Sequence, residues 1–228
     1  MSSIAVLQPS YLPWIGYFEQ IDRVDHFIFY DDVQYTKNDW RNRNRIKHAG
    51  GIMWLSVPVR DPFAKAINEV EIDNTQPWRR KHLNALSSNY RQCPFFEEVY
   101  PLVEQAFIQN HDKLSALNVD IITNIMEYLQ ITTSFHLASQ LNVGGDKNSR
   151  LINFCRHFDA KSYYSGAAAR EYLACEAFEE AGIDVVFQSF EHRPYSQQFG
   201  DFVPFLSIID LLFNHGRESL DYIRMGNE

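Results

Sequence analysis

The residues best suited to chemistry lie in one short run, Asn38-Asp39-Trp40-Arg41-Asn42-Arg43-Asn44-Arg45-Ile46-Lys47. Cations recur there at every second position. On a strand, that period places Arg41, Arg43, Arg45 and Lys47 on one face. Like charges so crowded repel unless something anionic lies opposite. A phosphate-bearing ligand suits the guanidinium forks best. The alternatives are an internal salt-bridge network with Asp31, Asp32 and Asp39, or a nucleic acid. A net charge of −8 disfavours nucleic acid. It also makes a local basic ladder more informative than it would be in a basic protein.

Just before the ladder, His26-Phe-Ile-Phe-Tyr30 reads as a buried strand ending in Asp31-Asp32, followed by Val33-Gln34-Tyr35 and Lys37. Carboxylates at the C-terminal end of a core strand stand where ligands bind in open α/β sheets. They can hold a metal, orient a sugar hydroxyl or take a proton; the bland reading is an acidic cap on a turn. Strand residues alternate between faces, so only one of the pair is expected in the cleft. Further on, His192 and Tyr195 in Glu191-His-Arg-Pro-Tyr195 are placed to close a cleft, although a lone loop histidine is more often solvated. Asp210, inside Leu206-Ser-Ile-Ile-Asp-Leu-Leu-Phe213, needs an arginine or a hydroxyl as partner if it is buried.

These groups need a scaffold, and the chain's opening supplies its seed. Ile4 to Leu7 is an apolar run that fits a buried parallel strand. Pro9 stops it. From Leu12, the spacing of Leu12, Ile15, Phe18 and Ile21 predicts a helix, with Ser10 as N-cap and Pro13 in its first turn. A strand feeding a helix N-terminus makes an anion site, with Trp14, Gly16 and Tyr17 at its mouth. A second such elbow runs from the strand Ser162–Tyr164 into a helix at Ser165-Gly166, with Arg170 one turn in. Between the elbows, Ile52–Val59 pairs back on the ladder as a hairpin, and Glu69–Ile72 is a short strand. Pro77 to Gln130 reads as a helical insert. Asn148–Phe158 and Leu206–Phe213 predict further helices, and Asp184–Ser189 a further strand. The expected fold is a single α/β domain over residues 1–228, with a mostly parallel sheet and that insertion.

Cys93, Cys155 and Cys175 lie far apart, form no zinc pattern and read as reduced, buried and inert. Gln8, Pro9 and Pro13 break the opening apolar run too early for a signal peptide, and no stretch is long enough to span a membrane. The expected setting is therefore cytoplasmic.

Several separated motifs carry a resemblance: Gln8-Pro-Ser-Tyr-Leu-Pro-Trp-Ile-Gly-Tyr-Phe18, Asp31-Asp-Val-Gln-Tyr35, Trp40-Arg-Asn-Arg-Asn44, Tyr164-Ser-Gly166 and Leu206–Asn214. Together they resemble the WbqC-like family, which is associated with bacterial surface-polysaccharide (O-antigen) gene clusters. The strand, proline loop and helix of Gln8–Ile21 also look like the opening of HUP-fold nucleotidylyltransferases and pantothenate synthetase. Their H-x-G-H signature would fall on Trp14-Ile15-Gly16-Tyr17, which keeps the glycine and lacks both histidines. Either Arg41, Arg43 and Arg45 act on phosphate instead, or the fold binds a nucleotide without adenylation. Ser165-Gly166 with Arg170 is similar to that superfamily's later phosphate motif.

The resemblances imply a transferase or ligase forming an amide on a nucleotide-linked amino sugar. ATP with magnesium, attaching an amino acid, is the favoured co-reactant and acyl-CoA the alternative; a non-catalytic nucleotide-sugar-binding module is the other reading. The expected phosphate and sugar contacts are Gln8, Pro9, Tyr11, Trp14, Gly16, Tyr17, Gln34, Tyr35, Lys37, Trp40, Arg41, Asn42, Arg43, Asn44 and Arg45. Ser165, Gly166, Arg170 and Tyr195 complete them. Asp31, Asp32 and His192 are the expected catalytic groups.

Overall fold

The computed structural model describes residues 2–226. The chain opens with β1 (Ser2–Leu7), α1 (Ile15–Asp22) and β2 (His26–Phe29). A hairpin of β3 (Arg43–His48) and β4 (Gly51–Ser56) follows, then the small pair β5 (Val59–Arg60) and β6 (Glu71–Ile72). Helices α2 (Trp78–Tyr90), α3 (Phe96–Ile108) and α4 (Leu114–Tyr128) form the insert. The α/β pattern resumes with β7 (Ser134–Leu137), α5 (Ala138–Leu141), α6 (Lys147–His157) and β8 (Ala160–Ser165). It ends with α7 (Cys175–Glu180), β9 (Asp184–Phe187), α8 (Ile208–His215) and α9 (Ser219–Met225).

The main sheet has the order β7-β2-β1-β8-β9, and every neighbour in it is parallel. Numbered by order of appearance, that is 3-2-1-4-5, the Rossmann/HUP-like arrangement. The apolar run of β1 lies at its centre because it can be buried on both faces. Ala5, Phe27, Phe29 and Tyr164 face a core shared with α1, α8 and the insert. Ile4, Val6, Ile28 and Tyr163 face the opposite core, closed by α5, α6 and α7. The insert is helical as its spacing predicts. It shares the main core: Leu86, Val103, Leu117 and Ile121 pack into the same cluster as Phe18 and Leu212.

Four local expectations need correction. Helix α1 begins at Ile15 rather than Leu12, and Ser10 does not cap it; the residue before it, Trp14, makes no side-chain cap. Strand β4 stops at Ser56 because Pro58 has no N–H for the ladder, so Val59 starts a separate strand. The segment after Ser165 is a short 3₁₀ turn, Ala167–Glu171, and not a regular α-helix. Strand β7 was not legible, since Ser134-Phe-His-Leu137 is short, half-polar and at the sheet's edge. Cys93 and Cys155 are buried, which pushes their thiols up to about 11 and about 12, but Cys175 is exposed.

Candidate functional site

The chain leaves β1 towards β2 on one side of the sheet and leaves β8 towards β9 on the other. That divergence is the topological switch point, where open α/β sheets bind ligands beyond the strands' C-terminal ends. A cavity of about 690 Å³ lies there. Its floor is Leu7 and Gln8 at the exit of β1, with Tyr163 and Ser165 of β8 and Gly166 just after it. Trp14, just before α1, and Tyr17 of α1 line it from one face of the sheet, together with Trp40, Arg41 and Asn44. From the other face come Lys147, Asn148 and Leu151 of α6, and Tyr172 after the 3₁₀ turn. Ser10, Pro13 and Tyr30 complete the rim. Among the described residues, Arg41 and Lys147 are the charged groups of the lining, which holds no carboxylate and no imidazole.

The loop between β1 and α1 is fixed by its carbonyls. Asn118 Nδ2 donates to Pro9 O at 3.1 Å and Arg41 O at 2.7 Å. Asn44 Nδ2 donates to Tyr11 O at 3.3 Å and Leu12 O at 2.7 Å. The Tyr11 amide donates to Trp40 O, and the Tyr17 hydroxyl to Gln8 O. This clamp holds Leu12 in left-handed backbone at φ 44°, which explains why the period-three pattern ran one turn too far. Tyr11 itself is fully buried, with its hydroxyl 2.8 Å from His82 Nδ1, so its role is to anchor the loop.

Gly16 lies outside the lining but shapes it: a Cβ there would overlap the Trp14 ring. Gly16→Ala is therefore expected to displace Trp14 and cost about 1–3 kcal/mol. Urea unfolding followed by tryptophan emission would report both effects, and unchanged stability and emission would contradict this packing. Across the cavity, Gly144-Gly145 leads into α6. A side chain at Gly145 (φ 122°) would crowd the Arg150 amide, and Lys147 is held at φ 25°. Backbone held in this way tends to cluster at functional sites.

The acidic pair does not enter the cavity. Asp31 is buried, and its carboxylate accepts from the Ser139 amide at 3.0 Å and the Ser139 hydroxyl at 2.7 Å. Asp32 takes a bidentate ion pair from Arg150, at 2.9 and 2.5 Å. The expected alternation is not seen, because both residues lie in the turn beyond β2 and each fastens it to a helix of the same layer, Asp31 to α5 and Asp32 to α6. Asp32 thereby helps to hold α6, and with it Lys147, at the cavity.

The basic ladder divides. Arg41 reaches the cavity, half-buried and paired with Asp39 at 3.1 Å; burial lowers its pKa, and Asp39 opposes that. Arg43 donates to Asn38 O and Arg45 to Phe205 O. Lys47 is buried, and its ammonium donates to Gln197 Oε1 and to the carbonyls of Gly200 and Asp201. Asn42 ties its loop to Val57, and Tyr35 is buried with its amide on Lys65 O. Gln34 and Lys37 are exposed outside the lining.

Three later residues also lie away from the lining. Arg170 lies over the Phe187 ring at 4.5 Å, so Ser165 and Gly166 reach the cavity without it. Tyr195 is buried, and its hydroxyl donates to Asp210 at 2.8 Å. His192 packs against Trp14, Phe190 and Phe205, and burial pulls its pKa down to about 4. Sequence reasoning missed Lys147, Asn148, Tyr30, Tyr163 and Tyr172. The readable signal for the first two was Gly144-Gly145-Asp146, a left-handed turn and a cap before a helix.

Burial also makes the histidines a pH sensor of stability. His82 is pulled down to about 4, like His192, and His136 and His215 are lowered as well. Between about pH 6.5 and 4 the unfolded chain binds more protons, so stability is full above that window and falls as pH drops through it. Asp210, raised by burial, works in the opposite direction and offsets part of the loss. His82 alone accounts for on the order of 2–3 kcal/mol. Urea midpoints at pH 7.5, 6, 5 and 4 should decline stepwise, and a flat series would contradict these burials.

Fold and site together define an α/β protein of the Rossmann/HUP-like order, with a cationic cavity at its switch point. The chain belongs to the WbqC-like protein family, which it matches over residues 8–222. It is 41% identical to the uncharacterized protein Rv1507c of Mycobacterium tuberculosis, covering 98% of each chain. No solved structure matches it. No helix among the described residues is long and apolar enough to cross a membrane.

Proposed function

We propose that the chain binds a nucleotide-linked amino sugar in the switch-point cavity and modifies it there, as a cytoplasmic transferase or amide-forming ligase of surface-polysaccharide synthesis. The observation that carries this reading is the lining, with Arg41 and Lys147 and no carboxylate, in a protein of net charge −8. Such a site attracts phosphate, and the aromatic walls of Trp14, Trp40 and Tyr172 suit a base or sugar ring. Ser10, Ser165, Gln8 and Asn148 supply hydroxyls and amides for sugar oxygens. The resemblance to adenylating HUP enzymes favours ATP, with its magnesium held by the nucleotide's own phosphates. The carboxylate of an amino acid would attack the α-phosphorus, and pyrophosphate would leave. The sugar amine would then attack the acyl carbon, AMP would leave, and the amine's proton would pass to water or to the departing phosphate. An acyl-CoA donor is the alternative.

A second reading, a module that binds the nucleotide sugar without altering it, is favoured by one observation. Among the described residues, the lining holds no carboxylate or imidazole to take the amine's proton. Mass spectrometry separates the two. The protein is incubated with a nucleotide-linked amino sugar, ATP and glycine, and then with acetyl-CoA instead. A mass gain of glycyl or acetyl on the sugar supports catalysis. Binding by calorimetry without any gain assigns the module.

A further inference from the structure

Beside the cavity, Arg43 and Arg45 of the basic ladder form a second feature with Trp40 and Trp54, outside the pocket lining except for Trp40. Trp40 and Trp54 are 43% and 46% exposed, with ring centroids 5.7 Å apart and planes tilted by 31°. Register sets Arg45 opposite Trp54 across the hairpin. The Arg43 guanidinium lies 4.6 Å from the Trp54 ring centre, and that of Arg45 lies 5.7 and 5.8 Å from Trp40 and Trp54. Two large exposed aromatics flanked by arginines are unusual on an acidic protein. Among the described residues, neither arginine forms an ion pair; their acceptors are the carbonyls of Asn38 and Phe205. The Nε of each is buried without a partner. Trp40 belongs to both features, because it also lines the cavity.

We infer that this ladder is a second nucleotide subsite, stacking the base and pairing the phosphate of a nucleotide cosubstrate at the cavity's mouth. The inference rests on the proposed reading only in that the cavity holds the other substrate. Exposed indoles offer a face to any base, and uncompensated guanidiniums offer a fork to phosphate. The ladder would bring the two ligands together at Trp40. A cosubstrate bound there would present its acyl carbon, from an acyl-adenylate or acyl-CoA, towards the sugar amine.

Calorimetry with ADP as probe tests this, with adenosine and ribose 5-phosphate as half-ligands and UDP-N-acetylglucosamine as a cavity probe. The proteins are the wild type, Trp54→Ala, Arg43→Gln and Lys147→Ala. ADP is expected to bind about tenfold or more weaker to Trp54→Ala and Arg43→Gln, and each half-ligand about tenfold weaker than ADP. The nucleotide sugar should be indifferent to both ladder changes and weakened by Lys147→Ala. Arg43→Gln keeps both rings, so the test survives if Trp54→Ala folds poorly. ADP binding that responds only to Lys147→Ala would overturn the inference and leave the cavity reading intact, and undetectable ADP binding would overturn it too. If ADP follows the ladder while the sugar ignores Lys147→Ala, the cavity reading fails alone. Tighter binding of a short oligonucleotide that displaces ADP would assign the ladder to nucleic acid, against the inference.

Discussion

Replacing Arg41 and Lys147 together by alanine is expected to weaken nucleotide-sugar binding by about 10²- to 10⁴-fold. Each side chain offers a charge-assisted hydrogen bond of about 1.5–3 kcal/mol to a phosphate. The two enter from opposite faces of the sheet, Arg41 ahead of β3 and Lys147 at the start of α6. Among the described residues the lining holds no other cation to take over their role, and Asp39, which pairs with Arg41, would be left facing the phosphate. Single variants should each lose about 10- to 150-fold, and calorimetry on folded protein reads the effect directly. If the double variant keeps wild-type affinity, the cations do not hold the ligand.

The second large effect concerns the core. Asp210 is fully buried, accepting from the Tyr90 hydroxyl at 2.8 Å and from the Tyr195 hydroxyl at 2.8 Å. The same Tyr90 oxygen accepts from the Lys47 amide, so one carboxylate joins α2, β3, α8 and the loop of Tyr195. Asp210→Ala leaves the O–H groups of Tyr90 and Tyr195 without their acceptor, although the Tyr90 oxygen still accepts from the Lys47 amide, and it removes the carboxylate that attracts Lys47. A cost of about 3–5 kcal/mol is expected, because breaking a buried charged network strands its partners. Asp210→Asn keeps one acceptor and should cost less, about 1–2 kcal/mol. Urea unfolding measures both; a loss below 1 kcal/mol for the alanine variant would show that the network is dispensable.

What was legible in the sequence was local and periodic. The apolar run Ile4–Leu7 and the spacing in α2 to α4 gave their elements correctly, whereas the elbow at Ser165-Gly166 gave its strand but met a 3₁₀ turn in place of a helix. The hydroxyl partner expected for Asp210 was found, in the form of two tyrosines. Pairings between distant residues were not legible. Asp31 and Asp32 sit at the expected strand end, but Ser139 and Arg150, more than a hundred residues away, occupy them. The alternation of Arg41, Arg43, Arg45 and Lys47 was read as four cations on one strand face, but β3 begins only at Arg43. Only the tertiary fold decides that Lys47 goes inward while Arg41, before the strand, reaches the cavity. Lys147 escaped notice because its local sequence is polar and its importance comes from where α6 packs.

The most direct test of the account is a crystal structure with a nucleotide-linked amino sugar bound. The account predicts the diphosphate between Arg41 and Lys147 above Ser165–Gly166, with a ring against Trp14 or Trp40. Density for the ligand at any other surface, with the switch-point cavity holding only water, would contradict it.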